Sequence, residues 1–244
     1  MRIDVLTLFP DMFESPFSSS ITKRAIEANI LDIHLTNFRD FSFDKHKHVD
    51  DSPFGGGAGM VLKPEPLYRA MRAVLEQTKK YERNRRVLIM DPSGSIFSQK
   101  KAKELAAFDQ LIFICGHYEG FDARIYSLAD EAISIGDFVL TGGELPAMVI
   151  TDAVSRMLPG VLGDSEYAST DSFYDGILGY PQYTRPRAFE GKEVPAILLS
   201  GDHKKIREWR HEQALRLTRE KRPDLLQSAR LTKEDRAYLA SLEM

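Results

Sequence analysis

Two rhythms of hydrophobic positions run along the chain. Short apolar runs occupy Arg2–Phe9, Ile30–Asn37, Arg86–Met90, Gln110–Cys115 and Ala132–Ile135, and most stop at Pro, Gly or Asp, as strands do. Between them the spacing turns helical, over Ser19–Asn29, Pro64–Lys79, Ser98–Phe108 and Gly143–Leu158. The pattern is clearest in Pro64–Lys79, where Leu67, Ala70, Met71, Val74 and Leu75 share one face. Strands alternating with helices predict an α/β fold with a mainly parallel sheet and helices on both faces. On these rules alone the sheet is an ordinary, unthreaded doubly wound one.

The texture changes after Pro159. Gly160 to Arg187 is rich in Gly, Ser, Asp, Tyr and Pro without a sustained period, which reads as a linker or active-site loop. Tyr167, Phe173, Tyr174, Tyr180 and Tyr183 favour a functional loop, since disordered linkers are poor in aromatics. Beyond it, Val194–Leu199 reads as a short strand and Asp202–Arg222 as an amphipathic helix with Ile206, Trp209, Ala214 and Leu217 inward. Pro223–Ala229 and Thr232–Leu242 complete a small, mostly helical C-terminal domain. The expected division is an α/β domain over 1–160, a linker and active-site loop over 161–187, and a helical domain over 188–244.

At 244 residues, 43% hydrophobic and 28% charged, the chain reads as a soluble protein with a substantial core. The only cysteine is Cys115, which excludes an internal disulfide and fits a reducing cytoplasm. At the end of Leu111-Ile112-Phe113-Ile114 it reads as a small buried apolar residue, not a reactive thiol. No apolar run approaches the roughly 20 residues of a membrane span, and Met1–Val5 does not open a secretory signal, so no membrane partner is expected. The net charge of −3 conceals an asymmetry: residues 1–200 hold 22 Lys and Arg against 28 Asp and Glu, whereas 201–244 hold 11 against 8. Such a basic helical tail suits contact with phosphates, and it equally suits a solvated helix face.

Four glycine-bearing turns follow apolar stretches: Gly55–Gly59, Asp91–Gly94, Gly116–Gly120 and Gly136–Gly143. At the carboxyl ends of strands, turns without side chains let backbone groups reach an adenosine-like ligand. None has the Walker spacing or forms a G-x-G-x-x-G after the first strand, which disfavours ATP or NAD chemistry. His46 and His48 near Asp50 and Asp51 are interleaved with lysines that repel a metal ion, so a solvated or RNA-facing loop is the better reading. No Gly-x-Ser-x-Gly elbow or H-E-x-x-H helix is present. Asp171 in the polar loop and Arg156 in the last helical turn before Pro159 are each open to two readings, catalytic or structural.

The motifs Thr7–Pro10, Asp50–Met60, Cys115–Gly120, Ile135–Met148, Pro159–Gly163 and Tyr180–Pro186 together resemble the bacterial tRNA (guanine37-N1)-methyltransferases, over almost the entire chain. Val194-Pro195 and Leu198–Gly201 extend the likeness. The resemblance implies the trefoil-knotted (SPOUT) methyltransferase superfamily, a deep trefoil knot, a homodimer, S-adenosylmethionine as cofactor and tRNA as substrate. It implies a cofactor pocket of Pro92, Gly116, Tyr118, Glu119, Ile135, Gly136, Asp137, Phe138, Val139, Leu140, Gly142 and Gly143. It also implies Asp171 as general base and Arg156 as the arginine beside the target base, with Arg185, Lys204, Arg207 and Arg210 as RNA contacts. A need for Mg2+ is implied too, but no metal site is recognisable, and Gly179 stands where an acidic residue is expected in several relatives. Two alternatives share the cofactor pocket: a knotted ribose 2′-O-methyltransferase, and a non-catalytic RNA-binding protein that senses S-adenosylmethionine.

Overall fold

The computed structural model of the chain describes residues 1–163 and 168–242. It divides into two compact units, Met1–Asp164 and Ser165–Met244. Tyr167, one of the loop aromatics, lies outside the described residues.

The first unit is built on five parallel strands: β1 (Arg2–Thr7), β2 (Asp32–Asn37), β5 (Arg85–Ile96), β6 (Gln110–Cys115) and β7 (Glu131–Ser134), in the order β2-β1-β6-β5-β7. A two-residue pair, β3 (Asp50–Asp51) and β4 (Val61–Leu62), brackets the Gly55–Gly59 loop. The central strand β6 is buried at every position. Its side chains alternate between two cores: Leu111, Phe113 and Cys115 join one, Ile112 and Ile114 the other. A strand buried on both faces needs an unbroken apolar run, which is how this segment reads.

Helix α3 (Pro64–Gln77) covers one face, burying Leu67, Ala70, Met71 and Val74 against Leu6, Ile89 and Ile114. Its proline at the first helical position costs nothing, because an amide there has no intrahelical acceptor. Helices α2 (Ser20–Glu27), α4 (Gln99–Leu105) and α5 (Glu144–Ser155) supply residues to the core on the other face, and a short turn, α1 (Glu14–Phe17), precedes them. The sheet is thus covered on both sides.

Strand β5 runs further than its apolar stretch. The register with β7 shifts between Met90 and Ser95, so Asp91–Gly94 bulges out and pairing resumes at Ser95 and Ile96.

In the second unit, the helix His203–Lys221 buries Ala214, Leu215 and Thr218, while Ile206, Trp209 and Leu217 are half-buried. Thr218 Oγ1 accepts from the Leu178 amide at 2.9 Å, which ties the preceding loop to this helix. The helix Lys233–Ser241 opens with a capping box between Thr232 and Asp235, and His211 pairs with Asp235 at 2.6 Å. The strand expected over Val194–Leu199 is absent from the structure: Pro195, with φ at −51°, starts a 3-10 turn over Ala196–Leu199. Pro195 has no amide to donate to a ladder, and its fixed φ suits a helical turn. The pairing lies just upstream, in a hairpin of Ala188–Phe189 with Lys192–Glu193.

Candidate functional site

Three segments converge at the carboxyl ends of parallel strands β6 and β7 and at the bulge within β5: Asp91–Gly94, the Gly116–Gly120 turn, and the Ile135–Gly143 stretch leading into α5. They line a cavity of about 290 Å³. A parallel sheet places its ligand sites at this edge, because every strand there ends in a loop.

The turns are fastened to one another by backbone. The Gly143 amide donates to Gly116 O at 2.9 Å, and His117 pairs with Gly142 in an isolated antiparallel bridge. Gly143 must lack a side chain, since a Cβ there would stand 2.8 Å from Cys115 Cα and 3.0 Å from Gly116 N. Tyr118 holds a left-handed φ of 60° inside a turn closed by the Gly120 amide on His117 O at 3.2 Å. On the other rim, Ser134 Oγ donates to Gly136 O at 3.0 Å, and the Phe138 amide donates to the same oxygen at 3.0 Å. The Glu119 amide donates to Met60 O at 3.1 Å, which anchors the Gly55–Gly59 loop beside the cavity without making it part of the lining.

Of the twelve residues expected in the cofactor pocket, eleven line this cavity. The exception is Asp137, which is exposed at the tip of the turn after Gly136 and is not among the lining residues. Nine further residues line the cavity beyond those the resemblance implies, Asp91, His117 and Phe121 among them. Asp91 opens the same Asp-Pro-Ser-Gly turn that supplies Pro92, so its signal lies in the local sequence.

Asp91 is the one carboxylate at the β5 rim. Its Oδ1 accepts from the Ser93 amide at 2.8 Å, and its Oδ2 accepts from the Tyr126 hydroxyl. Burial alone would raise its pKa, but hydrogen bonds from Ser93 and Tyr126 outweigh that and hold the carboxyl below its usual range. Beneath the cavity, burial first and the Glu144 carboxylate second push the Cys115 thiol well above its ordinary value. Cys115 is therefore a packed apolar residue, as its sequence context predicts.

Arg156 caps the C-terminal end of α5, its amide donating to Asp152 O at 3.2 Å. Asp171 lies in the second unit, in a turn where its carbonyl accepts from the Tyr174 amide at 3.3 Å. Among the four expected RNA contacts, Arg185 and Arg210 line a cleft of the second unit, whereas Lys204 and Arg207 are exposed outside it. Among the described residues, no group of three or more His, Cys, Asp or Glu is gathered that could hold a metal ion. None of the helices among these residues is long and apolar enough to cross a membrane.

Fold and cavity define a class: α/β proteins with a parallel sheet and a cavity framed by backbone turns at the strand ends. The family model described as tRNA (Guanine-1)-methyltransferase TrmD matches residues 1–228. A tRNA (guanine-N(1)-)-methyltransferase of Limosilactobacillus reuteri is 52% identical over 244 residues, covering 100% of this chain and 97% of the relative. One of the same name from Dehalococcoides mccartyi is 55% identical over 98% of this chain and 96% of its own length. Another, from Desulfitobacterium hafniense, is 57% identical over 92% and 84% respectively. The chain belongs to the tRNA (guanine-1)-methyltransferase family.

Proposed function

We propose that the protein transfers a methyl group from S-adenosylmethionine to N1 of guanosine 37 in tRNA, next to the anticodon. Family membership along residues 1–228 carries this reading. The cavity supports it: its turns offer backbone donors and acceptors, and Ile135, Phe138 and Leu140 add apolar surface, a combination suited to adenosine and a thioether chain. We take the chain to be threaded here as the trefoil-knotted SPOUT fold of the family implies. No observation favours ribose methylation or cofactor sensing instead.

Bound S-adenosylmethionine supplies an electrophilic methyl group on its sulfonium. Guanine N1 carries a proton at neutral pH, and its lone pair becomes available only as that proton leaves. We assign Asp171 as the carboxylate that accepts the proton, and Arg156 as the guanidinium that stabilises negative charge developing on O6. Because N1 lies on the Watson–Crick edge, the target base must be unpaired and turned out of its stack. Arg185, Lys204, Arg207 and Arg210 contact phosphates in this reading. Among the described residues no group is gathered on which to build a role for Mg2+, and no step is assigned to it.

We further propose a homodimer. Helix α5 buries most of its surface, yet leaves Leu145 and Val149 about half exposed at an i, i+4 spacing, an apolar stripe suited to a second copy of the chain. The cytoplasm, where tRNA is modified, is the assigned location.

The deciding experiment is transfer of labelled methyl to an unmodified tRNA transcript with guanosine at positions 36 and 37, followed by nucleoside analysis. The expected product is 1-methylguanosine; a ribose-methylated guanosine, or no product, overturns the reading.

A further inference from the structure

The second unit holds a cleft of about 550 Å³ whose lining, among the described residues, includes three arginines and two tyrosines and no carboxylate. One wall is a face of the helix His203–Lys221, on which His203, Ile206 and Arg210 follow at three- and four-residue intervals. The opposite wall is the stretch Tyr180–Arg187, with Leu198 and Leu199 completing an apolar lining.

Its two tyrosines are used differently. The Arg210 guanidinium lies over the Tyr180 ring, 4.9 Å from the centroid, so that face is taken. Tyr183 is 48% exposed, and its one ring neighbour among the described residues, Trp209, is tilted by 51° at 6.4 Å rather than stacked on it. A π-face therefore remains open beside Arg185 and Arg187, both exposed. An apolar floor, an open aromatic face and uncompensated cations suit a ligand that is flat, π-bearing and anionic. A nucleotide meets all three requirements; inorganic phosphate and an acidic side chain both lack an aromatic ring to stack.

We propose that this cleft captures one unstacked nucleotide of the RNA substrate, its base on Tyr183 and its flanking phosphates on Arg185 and Arg187. It is a different nucleotide from the one that is methylated. The inference rests on the reading of the protein as one that acts on tRNA. It also narrows the RNA contacts: Lys204 lies off this wall, 3.9 Å from Glu208, and takes no part in the cleft.

The test uses the full-length protein and a tRNA anticodon stem-loop in which 2-aminopurine replaces each loop nucleotide other than guanosine 37 in turn. Stacking on a tyrosine quenches the probe, so one loop position is expected to lose fluorescence on binding. Tyr183→Ala should abolish that quench and weaken binding on the order of 10- to 100-fold, the range expected for loss of one base–aromatic stack. Tyr183→Phe should restore both, and Arg187→Ala should reduce the salt slope of binding by about one. Circular dichroism melts check folding; should Tyr183→Ala unfold, Tyr183→Leu keeps the bulk and removes the π-face. No quench at any position, or an Ala or Leu variant that binds and quenches like the wild type, overturns the proposal. Methyl transfer by the wild type is scored separately. Transfer without the Tyr183 effect sinks the cleft alone, and the Tyr183 effect without transfer sinks the enzymatic reading alone.

Discussion

The Thr7 hydroxyl donates a 2.7 Å hydrogen bond to the Glu144 carboxylate, joining the end of β1 to the first residue of α5 across 137 positions of sequence. Both side chains are buried, and Thr7 Oγ1 also accepts from the Phe9 amide at 2.9 Å. Gly142 lies against the same carboxylate: a Cβ there would collide with Glu144 Oε2 and with His117 Nδ1, a buried nitrogen without a hydrogen-bond partner among the described residues. Glu144 thus backs two of the three segments that shape the cavity, although it does not line the cavity itself.

Thr7→Val keeps the shape of the side chain and removes the donor. The buried carboxylate then loses its hydroxyl partner, at a cost of about 1–3 kcal/mol. Urea unfolding is expected to show a lower midpoint with an unchanged m-value. A midpoint equal to that of the wild type would mean that the bond contributes nothing net.

The Tyr126–Asp91 contact has a pH signature. Burial first, then the hydrogen bond to Asp91, push the Tyr126 phenol from 10.0 up to about 12. In the unfolded chain the phenol ionises near its ordinary value, about 10. Between the two values the unfolded state has released a proton that the folded state still holds. Stability is fully present below the lower value and falls as pH rises through the window. Tyr126→Phe should flatten this alkaline limb, and ultraviolet titration of the wild type should show one tyrosine ionising late. The same substitution frees one oxygen of Asp91 at the cavity rim, so calorimetry should find S-adenosylmethionine bound several-fold more weakly, an effect on the order of one lost hydrogen bond. An alkaline limb identical in both proteins contradicts the coupling.

Helix α5 offers a test of assembly. Leu145→Glu with Val149→Glu puts two carboxylates on its apolar stripe, which a partner copy would have to bury unpaired. Sedimentation equilibrium should find a dimer for the wild type and a monomer for the variant. A monomeric wild type, or a variant dimer as tight as the wild type, removes the basis for the dimer.

How legible these features were in the sequence follows from how local they are. Strand β6 reads directly because burial on both faces demands an unbroken apolar run, and α3 reads directly because its buried residues keep helical spacing. Strand β5 reads short because its continuation past Met90 depends on Ser95 and Ile96 finding partners on β7, which the polar Asp91–Gly94 bulge conceals. The hairpin after Arg187 turns at Glu190 and Gly191, both at positive φ, 49° and 76°. Glu is not a usual occupant of such a turn, so no Asn-Gly or Asp-Gly signal announces it. The cavity lining was legible through its glycine turns, where the backbone itself forms much of the wall. The Thr7–Glu144 bond was not, because no local pattern links residues that far apart.

Asp171→Asn bears most directly on the chemistry. The amide occupies nearly the same volume but cannot take up a proton at neutral pH, so a step that needs N1 deprotonated loses its acceptor. Removing a positioned base costs on the order of 10²- to 10⁴-fold in rate. Because Asp171 is not among the residues that line the cavity, affinity for S-adenosylmethionine is expected to stay within about twofold, well under the tenfold that 1.4 kcal/mol represents. Single-turnover methyl transfer alongside calorimetric titration of S-adenosylmethionine separates the two effects. A large fall in rate at unchanged affinity assigns Asp171 to the proton. An equal loss of both assigns it to binding or folding, and retained turnover means that the proton leaves by another route.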